Sequence, residues 1–503
     1  MTILIFLLCR YICAGPFLPL SCQLFSLNCP KASDTLHGFV EAEFTEIKNI
    51  FSKNIESGLE IGASVSIYYE NKLVVDLMGG FADWDTGKPY DENTLQLTFS
   101  SVKVLTSFVV ARLVEQGILD YDEKISTYWP EFAQGNKENV TLEHLMTHRA
   151  GVGWFDNHLT KVAELHDLDS FAKVLESQPH NFGGVPTMSY HACTRGYYLN
   201  EIVRRMDPKH RTIGQIVREE IMPQYNIEYY YYTSEDLYKS RVAQIYSYPV
   251  PRVLAKLILP GFMFTNPVHP LFFEMIAPGT KTHKTLVNSC PNQAQPKDWN
   301  KLEMVKPEGP SYNGITNSRS MAKLAAMMAN HGKPIPGDKV EPILLKDETL
   351  EKFLERTHST YDQSLLEEFT MSKGGIGFFR LPGLEDYEFL GWGGSGGSLL
   401  LWNEELKIGF AYCMNAFHTS LLGDERSLAM LKETVRTVLR LKNNNHFRAK
   451  VFLSNNNGKN SFVQKRSNGS IEFIKQYSLR IYTTSHDSNA SFEYFSRYSQ
   501  CPS

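Results

Sequence analysis

The chain has 503 residues, enough to bury one large core or two moderate ones. Hydrophobic residues make up 42% and charged residues 21%, the balance of an ordinary globular protein. The net charge is -4 and the basic residues are scattered, so there is no electrostatic ground for nucleic-acid binding, which we set aside.

Residues 1–30 form an apolar leader broken by Arg10, Pro16 and Pro19. It reads as a signal peptide or a membrane anchor, so the expectation is secretion or membrane association, with a cytoplasmic or organellar location as the alternative. Sequons at Asn139, Asn468 and Asn489 are compatible with export. Four cysteines (Cys9, Cys13, Cys22, Cys29) lie in the leader and Cys501 is almost at the other end. Cys193, Cys290 and Cys413 contain no CxxC pair, so the body is expected to stand without disulfides and without zinc.

An amphipathic helix is expected over 38–57, with Val40, Phe44, Ile47, Ile50 and Phe51 as its apolar face. A hairpin follows, 63–69 and 73–78 around Glu70-Asn71-Lys72, ended by Gly79-Gly80. Residues 99–116 then form the helix around which the chain is organised. Ser100 stands at its N-cap position and Gly117 follows its end. Val102, Leu105, Phe108, Val109 and Leu113 recur at helical spacing while Val104, Val110 and Ala111 fill other faces, so burial all round is expected.

Further on, 119–122 reads as a loop and 141–148 as a short helix stopping at Arg149-Ala150-Gly151. Helices are expected over 158–177, 196–206 and 318–330, with a Tyr- and Pro-rich insertion at about 225–310. Strands return at 375–381, 388–390, 398–402 and 408–415, before a helix over 421–441. An Asn- and Ser-rich tail of low complexity runs from 442 to 503. Strands and helix at both ends around a helical middle suggest an α+β fold, the two ends sharing one antiparallel sheet.

Ser100 and Lys103 form a Ser-x-x-Lys pair on one helix face. The positive helix end favours negative charge at the Ser, and a desolvated Lys of lowered pKa can take its proton. The spacing alone is weak: Ser170/Lys173 and Ser320/Lys323 share it, and there the Ser reads as an N-cap and the Lys as solvated. Tyr190, just before a helix, is a second candidate for proton transfer; taken alone, a tyrosine packing the helix start is the commoner reading. Trp392-Gly393-Gly394-Ser395-Gly396-Gly397 would let a strand backbone approach a substrate closely.

Two rival chemistries are weaker. Gly393-Gly394-Ser395-Gly396-Gly397 fits the Gly-x-Ser-x-Gly elbow, which requires a strand-to-helix turn where strand, turn and strand are expected. His144 and His148 have the spacing of a zinc pair, but Leu145 occupies the metalloprotease Glu position, so local packing is preferred.

Taken together, five segments resemble the serine β-lactamase-related family: class C β-lactamases, DD-peptidases, family VIII carboxylesterases and their animal homologues. They are Phe99-Ser100-Ser101-Val102-Lys103, Leu145 through Gly151, Tyr190-His191-Ala192, Asn313-Gly314 through Ala322, and Gly391-Trp392-Gly393-Gly394. The resemblance covers about 38–441 and implies the β-lactamase/transpeptidase-like α+β fold, a central antiparallel sheet flanked by helices plus an all-helical lobe. It implies Ser100 as acylated nucleophile, Lys103 with Tyr190 as the proton-shuttling pair, and the N–H groups of Ser100 and Ser395 as an oxyanion hole. Trp392, Gly393 and Gly394 would line the substrate cleft, with no metal or organic cofactor.

Two departures matter. Ala192 stands where β-lactamases carry an Asn amide, and Trp392 where they carry a cation for a substrate carboxylate. The resemblance therefore points to serine hydrolysis of a small-molecule ester or amide, with a catalytically weak scaffold or filament-forming protein as the alternative.

Overall fold

The computed structural model describes residues 7, 10–11, 14–258, 271–338, 340–344, 346–419 and 423–455. The chain divides into two units, Met1–Val435 and Arg436–Ser503. The first holds the sheet and the candidate site; the described part of the second, 436–455, is helical.

The alternating segments at both ends of the first unit build one ten-stranded antiparallel sheet. Its strands are β1 (His37–Val40), β2 (Gly62–Tyr69), β3 (Lys72–Asp83), β4 (Thr360–Tyr361), β5 (Glu368–Met371), β6 (Gly377–Arg380), β7 (Glu388–Gly393), β8 (Leu399–Asn403) and β9 (Ile408–Met414), with Lys88–Pro89 pairing off the main path onto β3. The order is β1-β3-β2-β9-β8-β7-β6-β5-β4. The two ends meet in the β2–β9 ladder, which runs from Ala63 opposite Met414 to Tyr69 opposite Ile408. Every residue of β2, β8 and β9 is buried, as expected of central strands covered on both faces.

The helices of the first unit include α1 (Thr45–Glu56), α2 (Lys103–Glu115), α3 (Leu142–Met146), α4 (Leu168–Ser177), α5 (Thr194–Met206), α6 (Ser318–Ala329) and the start of α7 (Glu425–Asn455). Helix α6 lies on β2, β8 and β9. It comes so close that a Cβ on Gly409 would stand 2.5 Å from the Ala326 nitrogen. A small three-stranded sheet joins Gln96–Leu97, Ile315–Thr316 and Tyr229–Tyr230, and so fixes the approach to α2.

The structure corrects several expectations. Residues 37–40 are an edge strand on β3, and the helix of 38–57 begins only at Thr45, because Gly38 and the exposed Phe39 pair with Leu77 and Asp76. Gly79-Gly80 does not end the hairpin; β3 continues through them to Asp83. The helix of 158–177 is a 3₁₀ turn (Val162–His166) followed by α4, which Asp167 caps. The last helix extends to Asn455, past the start of the Asn-rich tail. Residues 456–503, with the sequons at Asn468 and Asn489, lie outside the described residues, as do Cys9, Cys13 and Cys501.

The body also uses a disulfide. Cys193 and Cys290 are bonded with their Cα atoms 5.5 Å apart, tying the insertion to the start of α5, and Cys22 pairs with Cys29. Spacing could not show this, because the partners are 97 residues apart. Among the described residues no helix is long and apolar enough to cross a membrane.

Candidate active site

Ser100 is not the N-cap. It sits inside a 3₁₀ turn, Phe99–Val102, that leads into α2, whose own N-cap Val102 makes no side-chain cap. Phe99 enters the turn at φ 47°, a conformation that costs a bulky L-residue of order 1–2 kcal/mol. Its ring meets Trp299 and Phe417 edge-on, at centroid distances of 5.9 and 5.3 Å. Packing of this kind holds the backbone in the unfavourable well and presents the half-buried Ser100 above it. As expected, α2 is buried all round, from Lys103 through Ala111 and again at Leu113.

Lys103 is 1% exposed. Its Nζ lies 3.1 Å from Ser100 Oγ and 2.7 Å from each of the Ala192 and Ser311 carbonyl oxygens. Among the described residues no carboxylate pairs with it. Burial first, and then the fully buried Arg195 guanidinium, hold its pKa well below the ordinary lysine value. Two of its N–H groups go to the two carbonyls, and deprotonation of this amine would leave a lone pair for the Ser100 side. Asn313 secures the Ser311 side by donating to the Val305 and Pro307 carbonyls, at 2.9 and 2.8 Å.

The Tyr190 hydroxyl donates to Ser100 Oγ at 2.8 Å. Burial pushes its pKa up to about 12, against the opposing hydrogen bonds of Ser100 and Trp392, so it is a phenol at neutral pH. Trp392 stacks on the Tyr190 ring at 5.8 Å, and its indole N–H points at the phenol oxygen from 3.4 Å. Phe369, Phe379 and His148 close around the indole. The position carries an apolar wall and no cation.

The Gly393–Gly397 stretch turns β7 into β8. Strand, turn and strand exclude the elbow geometry at Ser395. Gly394 lies against the carbonyl of Thr98, and Ser398 Oγ donates to that same carbonyl at 2.8 Å and meets Ser101 Oγ at 3.2 Å. The glycine turn is thereby anchored on the 3₁₀ turn that carries Ser100, with Ser395 half-exposed between buried neighbours. From behind, the fully buried Arg426 donates to the Gly396 carbonyl at 2.8 Å while paired with Asp424 and Glu60, both at 2.6 Å.

The structure thus brings Ser100, Lys103, Tyr190 and Trp392 into one cluster and anchors Gly394 and Ser395 beside the Ser100 turn. The other two Ser-x-x-Lys pairs are local. Asp167, not Ser170, caps α4, and Asn317, not Ser320, caps α6. Lys323 is ion-paired with Asp338 at 2.7 Å rather than solvated. His144 belongs to a capping box with Thr141, and among the described residues no cluster of His, Cys, Asp or Glu is arranged to hold a metal. Sequence reading missed Arg195, Arg426 and the carbonyls of Ala192 and Ser311. A carbonyl leaves no trace in side-chain identity, and the two arginines are isolated in sequence.

Fold and cluster define the class first: a hydrolase on the β-lactamase fold. The family model "Beta-lactamase" matches residues 48–433, and the chain belongs to that family. It is 22% identical over 316 residues to Esterase/beta-lactamase LipL of Mycobacterium tuberculosis, covering 60% of this chain and 67% of that one. It is 30% identical over 110 residues to Esterase EstB of Burkholderia gladioli, covering 21% of this chain and 28% of the relative. Among solved structures, a family VIII carboxylesterase superposes with TM-score 0.67 at 25% identity, over 80% of this chain and 99% of that one. A penicillin-binding protein homologue from Caulobacter crescentus gives TM-score 0.65 at 28% identity, over the same shares.

Proposed function

We propose that the protein is a serine acyl hydrolase that cleaves small uncharged esters, or small amides, through an acyl-enzyme on Ser100. The observation that carries this is Lys103: a buried amine that no carboxylate among the described residues pairs with, 3.1 Å from a half-exposed serine hydroxyl. A scaffold has no use for such a group, which costs several kcal/mol to bury; activation of a nucleophile accounts for it.

Ser100 Oγ attacks the acyl carbonyl carbon as its proton passes to Lys103 Nζ. The N–H groups of Ser100 and Ser395 stabilise the oxyanion. The carbon–oxygen bond to the leaving alcohol breaks, and the alcohol takes a proton from the Lys103–Tyr190 pair. Water then attacks the ester carbon on Ser100 and gives a proton to the same pair; the bond from that carbon to Ser100 Oγ breaks, Oγ takes the proton back, and the acid leaves. Trp392 in place of a cation supports uncharged substrates over carboxylate-bearing β-lactams or peptides, in line with the esterase names among its relatives.

The test is turnover of p-nitrophenyl butyrate against nitrocefin. The ester should be hydrolysed with the higher kcat/KM, and Ser100→Ala should abolish it; preferential nitrocefin hydrolysis would reject the ester reading. The Cys193–Cys290 disulfide of the body suits an oxidising compartment, so we read the apolar leader as directing secretion or membrane association. A mass loss on deglycosylation at the exposed Asn139 checks this; an unglycosylated chain from its native source would count against it.

A further inference from the structure

His148, four residues after His144 at the spacing of a metal pair, has different work in the structure. It follows α3 in the left-handed region, at φ 62°, and is fully buried. Its carbonyl accepts from the Ser189 N–H at 3.0 Å and its Nδ1 accepts from the His191 N–H at 3.1 Å. These are the residues immediately before and after Tyr190. The imidazole also stands edge-on to the Tyr190 ring at 4.8 Å and borders Trp392 at 5.9 Å. One residue thus grips Tyr190 from both backbone sides and along its ring.

We infer that His148 is a positioning residue for Tyr190, setting the phenol on Ser100 by bracketing its backbone through one carbonyl and one ring nitrogen. This rests on the proposed role of Tyr190. Nδ1 must stay unprotonated to accept from His191. Burial, with Arg195, His191 and Lys103 nearby, keeps the imidazole neutral by holding its pKa well below the ordinary histidine value. The Tyr190 stretch has other anchors, Ser189 Oγ on Ser364 Oγ at 2.5 Å and Gln363 N on the Met188 carbonyl at 3.0 Å. These two act one and two residues upstream of Tyr190, whereas His148 holds the residues on both of its flanks.

The geometry supplies a sharp substitution test. In asparagine, Oδ1 occupies the place of histidine Nδ1, and asparagine tolerates positive φ. In glutamine the acceptor moves one bond out, to the place of Nε2. The rate of Ser100 labelling by a fluorophosphonate, followed by intact mass, is compared for wild type, His148→Asn, His148→Gln and each change combined with Tyr190→Phe. Thermal unfolding of every variant is recorded beside it.

His148→Gln should slow labelling about 100-fold and His148→Asn less than about fivefold, since a misplacement near 1 Å costs about two orders of magnitude. With Tyr190→Phe already present, His148→Gln should cost less than about threefold more, because the group it positions is gone. Equal losses for Asn and Gln, the same loss in both backgrounds, or a Gln variant that fails to fold beside a folded Asn variant would each overturn the inference. Wild type that does not label at all would instead overturn the serine-hydrolase reading.

Discussion

A Cβ on Gly394 would stand 2.1 Å from the carbonyl oxygen of Thr98. This glycine, the residue after β7, is therefore pressed against the backbone just before the nucleophile's turn, with no side chain to yield. In the proposed mechanism the Ser395 N–H is one of the two oxyanion donors, and Gly394→Ala would displace it by forcing the turn off Thr98. Removing one oxyanion donor costs about 10²–10³ in kcat, and that is the loss expected, with KM little changed. Steady-state kinetics on a p-nitrophenyl ester measures it; a substituted enzyme within threefold of wild type would reject the contact as functional.

Lys103 and Tyr190 should behave as different halves of a proton relay. Lys103→Arg keeps charge and much of the length but cannot deprotonate, so acylation should fall about 10²–10⁴-fold, the worth of general base catalysis. Tyr190→Phe should fall in the same range with Ser100 intact. Single-turnover acylation separates these losses from changes in deacylation.

The pH dependence follows from the direction of the Lys103 shift. Only the neutral amine accepts the Ser100 proton, so acylation should rise with pH as Lys103 deprotonates and level off well below the ordinary lysine range. The phenol of Tyr190, held near 12, should remain protonated across that plateau. A rate that falls across the same rise in pH would contradict a neutral Lys103.

Much of this site was legible in the sequence because it depends on side-chain identity at short spacing. Ser100 and Lys103 lie one helical turn apart, and β7–β8 announces itself by glycines between apolar runs. What was hidden depends on distant backbone. Ser100 looked like an N-cap, yet the positive φ of Phe99 starts a 3₁₀ turn that no propensity encodes. His148 looked like half of a metal pair because its partners, the Ser189 and His191 amides, are chemically anonymous. The edge strand at His37–Val40 was mistaken for helix because its pairing with β3 overrides local periodicity.

The Cys193–Cys290 bridge should matter to the site as well as to stability. Cys193 follows Ala192, whose carbonyl holds Lys103, so the bridge ties the insertion to the relay. Cys290→Ser should cost about 2–4 kcal/mol of stability in denaturant unfolding and lower kcat severalfold. A variant as stable and active as wild type would remove the disulfide from the account.

Arg426 is the remaining support of the glycine turn. Replacing it by Gln leaves Glu60 and Asp424 buried with one partner fewer, so a stability loss of about 3–5 kcal/mol is expected. Thermal unfolding measures this, and a loss under 1 kcal/mol would show that the cluster does not brace the turn.

Whether Ser100 carries an acyl group is the central question. Intact mass spectrometry after a fluorophosphonate, with peptide mapping on wild type, Ser100→Ala and Ser395→Ala, answers it. The account predicts one adduct on the wild-type chain, mapped to Ser100, absent from Ser100→Ala and retained by Ser395→Ala. An adduct that persists in Ser100→Ala, or disappears only in Ser395→Ala, would contradict it.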